Sequence, residues 1–191
     1  MLPFPAMADR ITLKHITMDS SVMFLQTKRT ILRDAHHDDA PFILQLLNEP
    51  GWLRFIGDRN IRDLDATRAY IDQRHREIYP KLGFGICIAF EQKTQTPIGL
   101  IGFVKRDTLD APDIGYAVAE NHQGKGYAFE VCHALIDHGW NVLGYDKIYG
   151  YCQPDNIASV KMLEKLGLTY LRDEDVNQTG EMCRLYMATR P

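Results

Sequence analysis

Hydrophobic and polar residues alternate along the first third of the chain in a pattern that predicts a strand and two helices. The strand is predicted at Thr30–Arg33. The following apolar residues recur at helical spacing behind two acidic residues, which predicts a first helix: Phe42, Ile43, Leu46 and Leu47. A second helix is predicted to begin after Asp63 or Asp65 and to end near Tyr79, before Pro80. Residues 48–60 between the two helices are predicted to be a loop.

The rest of the chain contains six further strand patterns and two helix patterns. Residues 85–91 and 98–105 flank a polar turn and predict a β-hairpin. The other four strands are predicted at residues 113–119, 147–152, 168–171 and 182–188. One helix is predicted to begin near Ala128, and another to begin near Asn156 and to end at Gly167. Seven strands and four helices in this order predict an α+β fold in which helices cover a mixed sheet.

Composition and charge narrow the functional classes. A net charge of −3 argues against a nucleic-acid partner, because phosphate binding requires an excess of basic residues. No apolar run approaches the ~20 residues that span a bilayer, so we expect no membrane association and a cytoplasmic location. The four cysteines are widely spaced, which favours buried, reduced thiols over disulfides or a metal site. Residues 1–27 show no clear periodicity and are predicted to be an N-terminal appendage to one domain at residues 28–191.

A glycine-rich turn lies between the strand at 113–119 and the next helix. Such a turn binds phosphate groups, because small residues let backbone N–H groups approach an anion at the positive end of a helix. The turn is not a Walker A loop, whose G-x-x-x-x-G-K-[ST] pattern is absent. It is not a dinucleotide-binding loop either, because Phe129 stands where the third glycine is required. This turn consists of Gln123, Gly124, Lys125, Gly126, Tyr127 and Ala128.

Two motifs together resemble the GCN5-related N-acetyltransferases (GNAT). The turn matches the family pattern Q/R-x-x-G-x-G/A at Gln123, Gly126 and Ala128. About 30 residues later, Asn156-x-x-Ser159 precedes a helix that ends in Leu166-Gly167-Leu168. The only departure is leucine for the commoner phenylalanine at 168. The resemblance covers residues 28–190, and Asp113-Ile114-Gly115-Tyr116 makes it closest to the RimJ/RimL branch, which contains ribosomal-protein N-terminal acetyltransferases.

The resemblance implies an α/β/α-layered, mostly antiparallel sheet of about seven strands and an acetyl-CoA site. The CoA diphosphate is expected on the backbone of residues 123–128, and the pantetheine arm beside Tyr116 and Val118. The Val118 amide is the candidate oxyanion donor. Ser159 is the candidate proton donor to the CoA thiolate, and Asn156 is expected to cap its helix and to face the pantetheine.

The general base and the acceptor are less defined. Glu174, Asp113 and a water chain are alternative bases. The expected acceptor is a primary amine, either a peptide N-terminus or a small molecule, bound near residues 48–60, where Trp52, Arg54 and Phe55 are candidate contacts. A CoA-binding sensor without turnover is the alternative function. No metal is expected, and the chain is predicted to be a monomer or a homodimer.

Overall fold

A single twisted sheet forms the centre of the molecule. The computed structural model describes residues 23–73 and 85–191. Within them, eight strands follow the order β1-β2-β3-β4-β5-β6-β8-β7. The strands are β1 Met23–Gln26, β2 Thr30–Arg33, β3 Ile86–Glu91, β4 Pro97–Val104, β5 Asp113–Val118, β6 Lys147–Cys152, β7 Thr169–Glu174 and β8 Cys183–Thr189. The α-helices of the described residues are α1 Ala40–Leu47, α2 Pro50–Phe55, α3 Leu64–Ile71, α4 Tyr127–Asn141 and α5 Ile157–Lys165, and short 3-10 helices lie at His37–Asp39 and Glu120–His122.

The helices bury opposite faces of the sheet. Helices α4 and α5 pack on one face through a core that includes Val131, Leu135 and Leu163. Helices α1 to α3 cover the other face, where Ile43 and Ile71 are fully buried. These layers arise because each helix has one apolar side that must leave water. The predicted fold class, α/β/α layers around a mostly antiparallel sheet, is confirmed.

Two elements were not expected from the sequence. The predicted loop at residues 48–60 contains α2, which begins at Pro50. Proline is common in loops, but its fixed φ also suits the first position of a helix, and Pro50 occupies that position here. Strand β1 lies in the predicted appendage and pairs with β2 at the edge of the sheet, so the boundary predicted at residue 27 does not coincide with the edge of the sheet. The sheet thus has eight strands rather than seven. The predicted end of the second helix lies outside the described residues.

The sheet opens between β5 and β6. All other neighbouring strands are antiparallel, whereas β5 and β6 are parallel and pair only at Asp113 and Tyr149. Beyond this pair the two strands diverge and leave a wedge between β5 and β6. Helix α5 approaches β6 closely, because a Cβ atom on Gly150 would lie 2.5 Å from the Leu163 side chain. Only four residues separate the end of β6 from the first residue of α5, so the start of α5 lies beside the wedge.

The structure also shows the state of the four cysteines and the character of the helices. Cys87, Cys132, Cys152 and Cys183 are all buried free thiols, as predicted. None of the helices in the described part of the chain is long and apolar enough to cross a membrane.

Gly99 sets the spacing between β4 and β5, and we expect Gly99→Ala to destabilise the fold. A Cβ atom there would lie 2.3 Å from the Ala117 carbonyl oxygen and 3.0 Å from the Val118 Cα, so a strand must move. We expect the free energy of unfolding in urea to fall by about 1–3 kcal/mol. Gly51→Ala is the control, because its Cβ meets nothing within 4 Å. Equal stability of the two variants would contradict this prediction.

Candidate active site

The backbone of β5 offers hydrogen-bond donors to the wedge. The Ala119 N–H donates to the Ile98 carbonyl at 2.9 Å, which makes this pair the hydrogen-bonded type in the antiparallel ladder with β4. Val118 lies opposite Gly99 in the next pair, which is of the other type. The Val118 N–H therefore points away from β4, towards the side on which β6 has diverged. An amide on this side can donate to a ligand.

The side chain of Gln123 turns back to the same strand end. Its Nε2 donates to the Val118 carbonyl at 2.8 Å. This bond satisfies the carbonyl that β6 leaves without a partner and ties the glycine-rich turn to the end of β5. The Gln123 backbone is held as well, because its N–H donates to the Glu120 carbonyl at 3.3 Å.

The glycine-rich turn has the backbone conformation of an anion site. Gly124 and Gly126 have φ angles of +71° and +81°, a region in which side chains cause strain. Residues 123–126 are exposed. A Cβ atom added at Gly124 would have no other atom within 4 Å, so a ligand group can approach the backbone there. Lys125 is exposed on the same turn and adds a positive charge.

The start of α4 adds the N–H groups of its first turn. Gly126 is the N-cap of this 15-residue helix and provides no side-chain cap. The first N–H groups of a helix have no partner within the helix and carry its partial positive charge, so they attract anions. The Tyr127 side chain is buried and donates to Glu91 Oε1 at 2.7 Å. Tyr127 and Ala128 are therefore expected to bind through their backbone.

Asn156 and Ser159 form the other wall of the wedge. The Asn156 side-chain oxygen accepts from the Ser159 N–H at 3.1 Å, which confirms Asn156 as the N-cap of α5. The bond uses the oxygen and leaves the side-chain NH2 group for another acceptor. Ser159 is half-buried, so its hydroxyl is within reach of a molecule in the wedge.

A hydrogen bond between hydroxyl groups crosses the wedge. The Tyr116 hydroxyl on β5 lies 2.7 Å from Ser159 Oγ on α5. Burial raises the pKa of Tyr116 well above its ordinary value, although the bond to Ser159 opposes this effect. Tyr116 is therefore a neutral phenol at physiological pH and can donate a hydrogen bond. Cys152 lies against the same serine, and burial raises the pKa of its thiol as well.

The two carboxylates considered as bases occupy different places. Glu174 lies on the outermost strand, β7, and pairs with Arg172 at 2.5 Å. Asp113 begins β5, is 1% exposed and pairs with Arg106 at 2.8 Å. Residues 113 and 116 of one strand point to opposite faces, so Asp113 and the Tyr116 hydroxyl lie on different sides of the sheet. The structure gives neither carboxylate a contact with Tyr116 or Ser159.

The residues considered for acceptor binding also lie in different places, one in the core and two near the wedge. Trp52 is buried in the core under α1 to α3. Arg54 is exposed, stacks on Phe55 at 4.8 Å and pairs with Asp155 at 2.9 Å. Asp155 directly precedes Asn156, so this ion pair connects α2 to the start of α5. Arg54 and Phe55 therefore lie near the wedge.

Sequence reasoning missed several residues that shape the site. Arg29 donates to the Lys125 carbonyl at 3.0 Å and pairs with Glu130 at 2.6 Å. Glu49 accepts from the Glu120 N–H at 3.0 Å, just beyond the end of β5. These contacts join residues that lie far apart in the chain, and no local pattern marks them. Among residues 23–73 and 85–191, no group of three or more His, Cys, Asp or Glu side chains could hold a metal.

Asp113 gives a prediction for stability as a function of pH. Burial raises its pKa from 3.8 to about 6, although Arg106 opposes the shift. The folded protein therefore holds this proton at pH values where the unfolded chain has lost it. We expect the free energy of unfolding of the wild type, relative to Asp113→Asn, to fall by about 2 kcal/mol as the pH rises from about 4 to about 6. Urea titrations across this range measure the difference, and a constant difference would contradict the prediction.

Known proteins share this fold. The sequence profile of the acetyltransferase (GNAT) domain matches residues 29–169. The uncharacterized N-acetyltransferase p20 of Bacillus licheniformis is 28% identical over 167 residues, which cover 85% of this chain and 93% of p20.

Two solved structures carry ligands of the expected class. RimL, a ribosomal L7/L12 alpha-N-protein acetyltransferase in complex with coenzyme A, has a TM-score of 0.71 and 20% identity, and the match covers 85% of this chain and 95% of RimL. The microcin C7 self-immunity acetyltransferase MccE, in complex with acetyl-CoA and AMP, has a TM-score of 0.72 and 17% identity, with coverage of 85% and 93%. The profile match over residues 29–169, together with the similarity to p20, establishes that the chain belongs to the GNAT family and is an N-acetyltransferase.

Proposed function

We propose that the protein transfers an acetyl group from acetyl-CoA to a primary amine, by direct attack of the amine while both substrates are bound. One arrangement carries this proposal: an exposed glycine turn at the start of α4 adjoins a wedge lined by the Val118 N–H and the Ser159 hydroxyl. A diphosphate and a thioester on one flexible arm match these two features.

The chemistry of the turn fits the diphosphate of acetyl-CoA. The exposed backbone at residues 124–126 and the uncapped first turn of α4 provide N–H donors without a competing carboxylate cap. RimL and MccE, which have the same fold, are known in complex with coenzyme A and acetyl-CoA. In the wedge, the pantetheine amides would take the hydrogen bonds that β6 does not offer to β5, and Asn156 would bond to one of them.

The wedge also supplies groups for the reaction itself. When the amine nitrogen attacks the thioester carbonyl carbon, negative charge develops on the carbonyl oxygen, and the Val118 N–H is directed to stabilise it. The carbon–sulfur bond then breaks and the thiolate leaves. Ser159 donates its proton to the sulfur. The neutral Tyr116 phenol, 2.7 Å away, can return a proton to the serine, and water then reprotonates Tyr116.

The base depends on the acceptor. An α-amine has a pKa near 8 and loses its proton more easily than a lysine side chain, whose pKa is about 10.4. Glu174, Asp113 and a water chain remain the alternatives for accepting this proton. Because Asp113 and Glu174 are each bound to an arginine, a water chain needs the fewest rearrangements. RimL acts on a protein α-amine, and the Asp113-Ile114-Gly115-Tyr116 segment supports placing this chain in the same RimJ/RimL branch.

Ser159→Ala tests the proton donor. We expect kcat to fall by about 10²-fold, the lower end of the usual contribution of general acid catalysis. The KM for acetyl-CoA should change less than twofold, because Ser159 acts on the leaving thiolate rather than on the diphosphate. Tyr116→Phe should give a smaller loss of kcat, since the serine keeps its own proton. Release of free thiol from acetyl-CoA measures both variants, and an unchanged kcat in Ser159→Ala would exclude its role as the acid.

The acceptor class requires a direct assay. Thiol release is measured over a panel of peptides with free N-termini, the same peptides with blocked N-termini, polyamines and amino sugars. A peptide N-terminus as acceptor predicts turnover that is lost on blocking. Tight CoA binding without turnover over the whole panel would favour a CoA-binding sensor and contradict the proposed activity.

A further inference from the structure

The turn between β1 and β2 reaches across the sheet to the glycine-rich turn. Arg29 lies in this β1–β2 turn, and its guanidinium donates to the Lys125 carbonyl oxygen at 3.0 Å. Its Nη2 lies 3.4 Å from the point that a Cβ atom on Gly126 would occupy. The same guanidinium stacks on the Tyr127 ring, 4.7 Å from its centre. One cation thus contacts three consecutive residues of the proposed diphosphate site.

Glu130 holds this arginine in place. Its carboxylate accepts from Arg29 Nε at 2.6 Å, from the Arg29 N–H at 2.7 Å and from the Thr27 hydroxyl at 2.6 Å. Burial acts to raise the pKa of Glu130, but the hydrogen bonds from Thr27 and Arg29 outweigh it and lower the pKa. The carboxylate is therefore ionised, and it holds both the backbone N–H and the guanidinium of Arg29. We call Thr27, Arg29 and Glu130 the hairpin brace.

The backbone of Arg29 is fixed as well. Its carbonyl oxygen accepts from the Gln92 N–H at 2.8 Å, in the turn between β3 and β4. The Tyr127 hydroxyl bonds to Glu91, the last residue of β3. Both turns and the start of α4 thus form one polar network. Movement of Arg29 would require several of these bonds to break together.

The bond from Arg29 to Lys125 determines the direction of one N–H group. The carbonyl of Lys125 and the N–H of Gly126 belong to the same peptide unit, and no cis peptide occurs in the described residues. In a trans peptide these two groups point in opposite directions. Because the Lys125 carbonyl is bonded to Arg29, the Gly126 N–H points away from Arg29. An anion on the side opposite Arg29 therefore meets this N–H and not the carbonyl oxygen.

We propose that Arg29, held by Glu130, is a positioning residue for acetyl-CoA: it fixes the Lys125–Gly126 peptide so that its N–H faces the diphosphate. The inference rests on the proposed use of acetyl-CoA. It assigns to a turn outside α4 a role in the affinity for the diphosphate part of the molecule. The positive charge behind the turn adds to the attraction, because charge near a helix start favours anions in the same way as the helix dipole.

Arg29→Ala with two acetyl donors tests the proposal. With acetyl-CoA, we expect KM to rise about 10- to 100-fold, as for the loss of a charge-assisted hydrogen bond, while kcat changes less than twofold. With S-acetylpantetheine, which has no diphosphate, the substitution should leave kcat/KM unchanged within twofold. Lys147→Ala is the matched control, since it removes a similarly exposed ion pair, with Asp110, from the start of β6.

Two further variants separate positioning from folding. Glu130→Gln should also raise the KM for acetyl-CoA, and adding it to Arg29→Ala should have little further effect, because both act through one contact. Arg29→Lys keeps the charge but cannot bond to the carboxylate and the carbonyl in the same way, so it should lie between the wild type and Arg29→Ala. These milder variants also test the proposal if Arg29→Ala does not fold.

The failure of this inference is distinguishable from the failure of the proposed function. Calorimetry of the wild type with CoA comes first, and absence of binding would overturn the use of acetyl-CoA itself. If the wild type binds CoA and Arg29→Ala binds it equally well, the hairpin brace has no positioning role. An equal loss with acetyl-CoA and S-acetylpantetheine would also overturn the inference, since it would show a general effect on the fold.

Discussion

Strands β5 and β6 pair only beside Asp113 and Tyr149, and beyond this point the N–H groups on the open side of β5 have no strand to bond. A buried or half-buried N–H group requires a partner, and in a continuous sheet the next strand would supply it. Here the next strand has turned away, and the wedge is bordered by a serine, an asparagine and a tyrosine instead. The divergence of the two strands thus leaves backbone donors that, in the proposed function, bind acetyl-CoA.

The elements around the wedge keep this surface in shape. The close approach of β4 to β5 at Gly99 fixes the position of Val118, and the approach of α5 to β6 at Gly150 brings Ser159 to Tyr116. At the open end, Gln123 ties the glycine-rich turn to β5. The hairpin brace holds the same turn from the opposite side. The regions proposed for the thioester and the diphosphate are therefore joined by one set of contacts.

Local chemistry made much of this site predictable. Two glycines just before a helix predict a turn, and an asparagine before a helix predicts a cap. The turn at residues 123–126 and the cap at Asn156 were therefore located correctly from the sequence. Strand β6 was predicted with its observed bounds, because its pattern is uninterrupted. The start of α2 was missed, since Pro50 suits both a loop and the first turn of a helix.

Contacts between distant segments were not predictable in this way. Arg29 and Glu130 are separated by 101 positions, and nothing in either neighbourhood indicates that they meet. Strand β1 was also missed, because its sequence begins with three consecutive apolar residues and shows no alternation. The partners of Asp113 and Glu174 likewise depend on the folded arrangement of β5 and β7, so the sequence left the base open.

Amide hydrogen exchange measured residue by residue, with and without coenzyme A, tests the central claim most directly. The account predicts that CoA slows exchange at Val118, at Gly124 and Gly126 and in the first turn of α4, while exchange in α1 stays unchanged. Unaltered exchange at Val118 and in the glycine-rich turn, under conditions where CoA is bound, would contradict it.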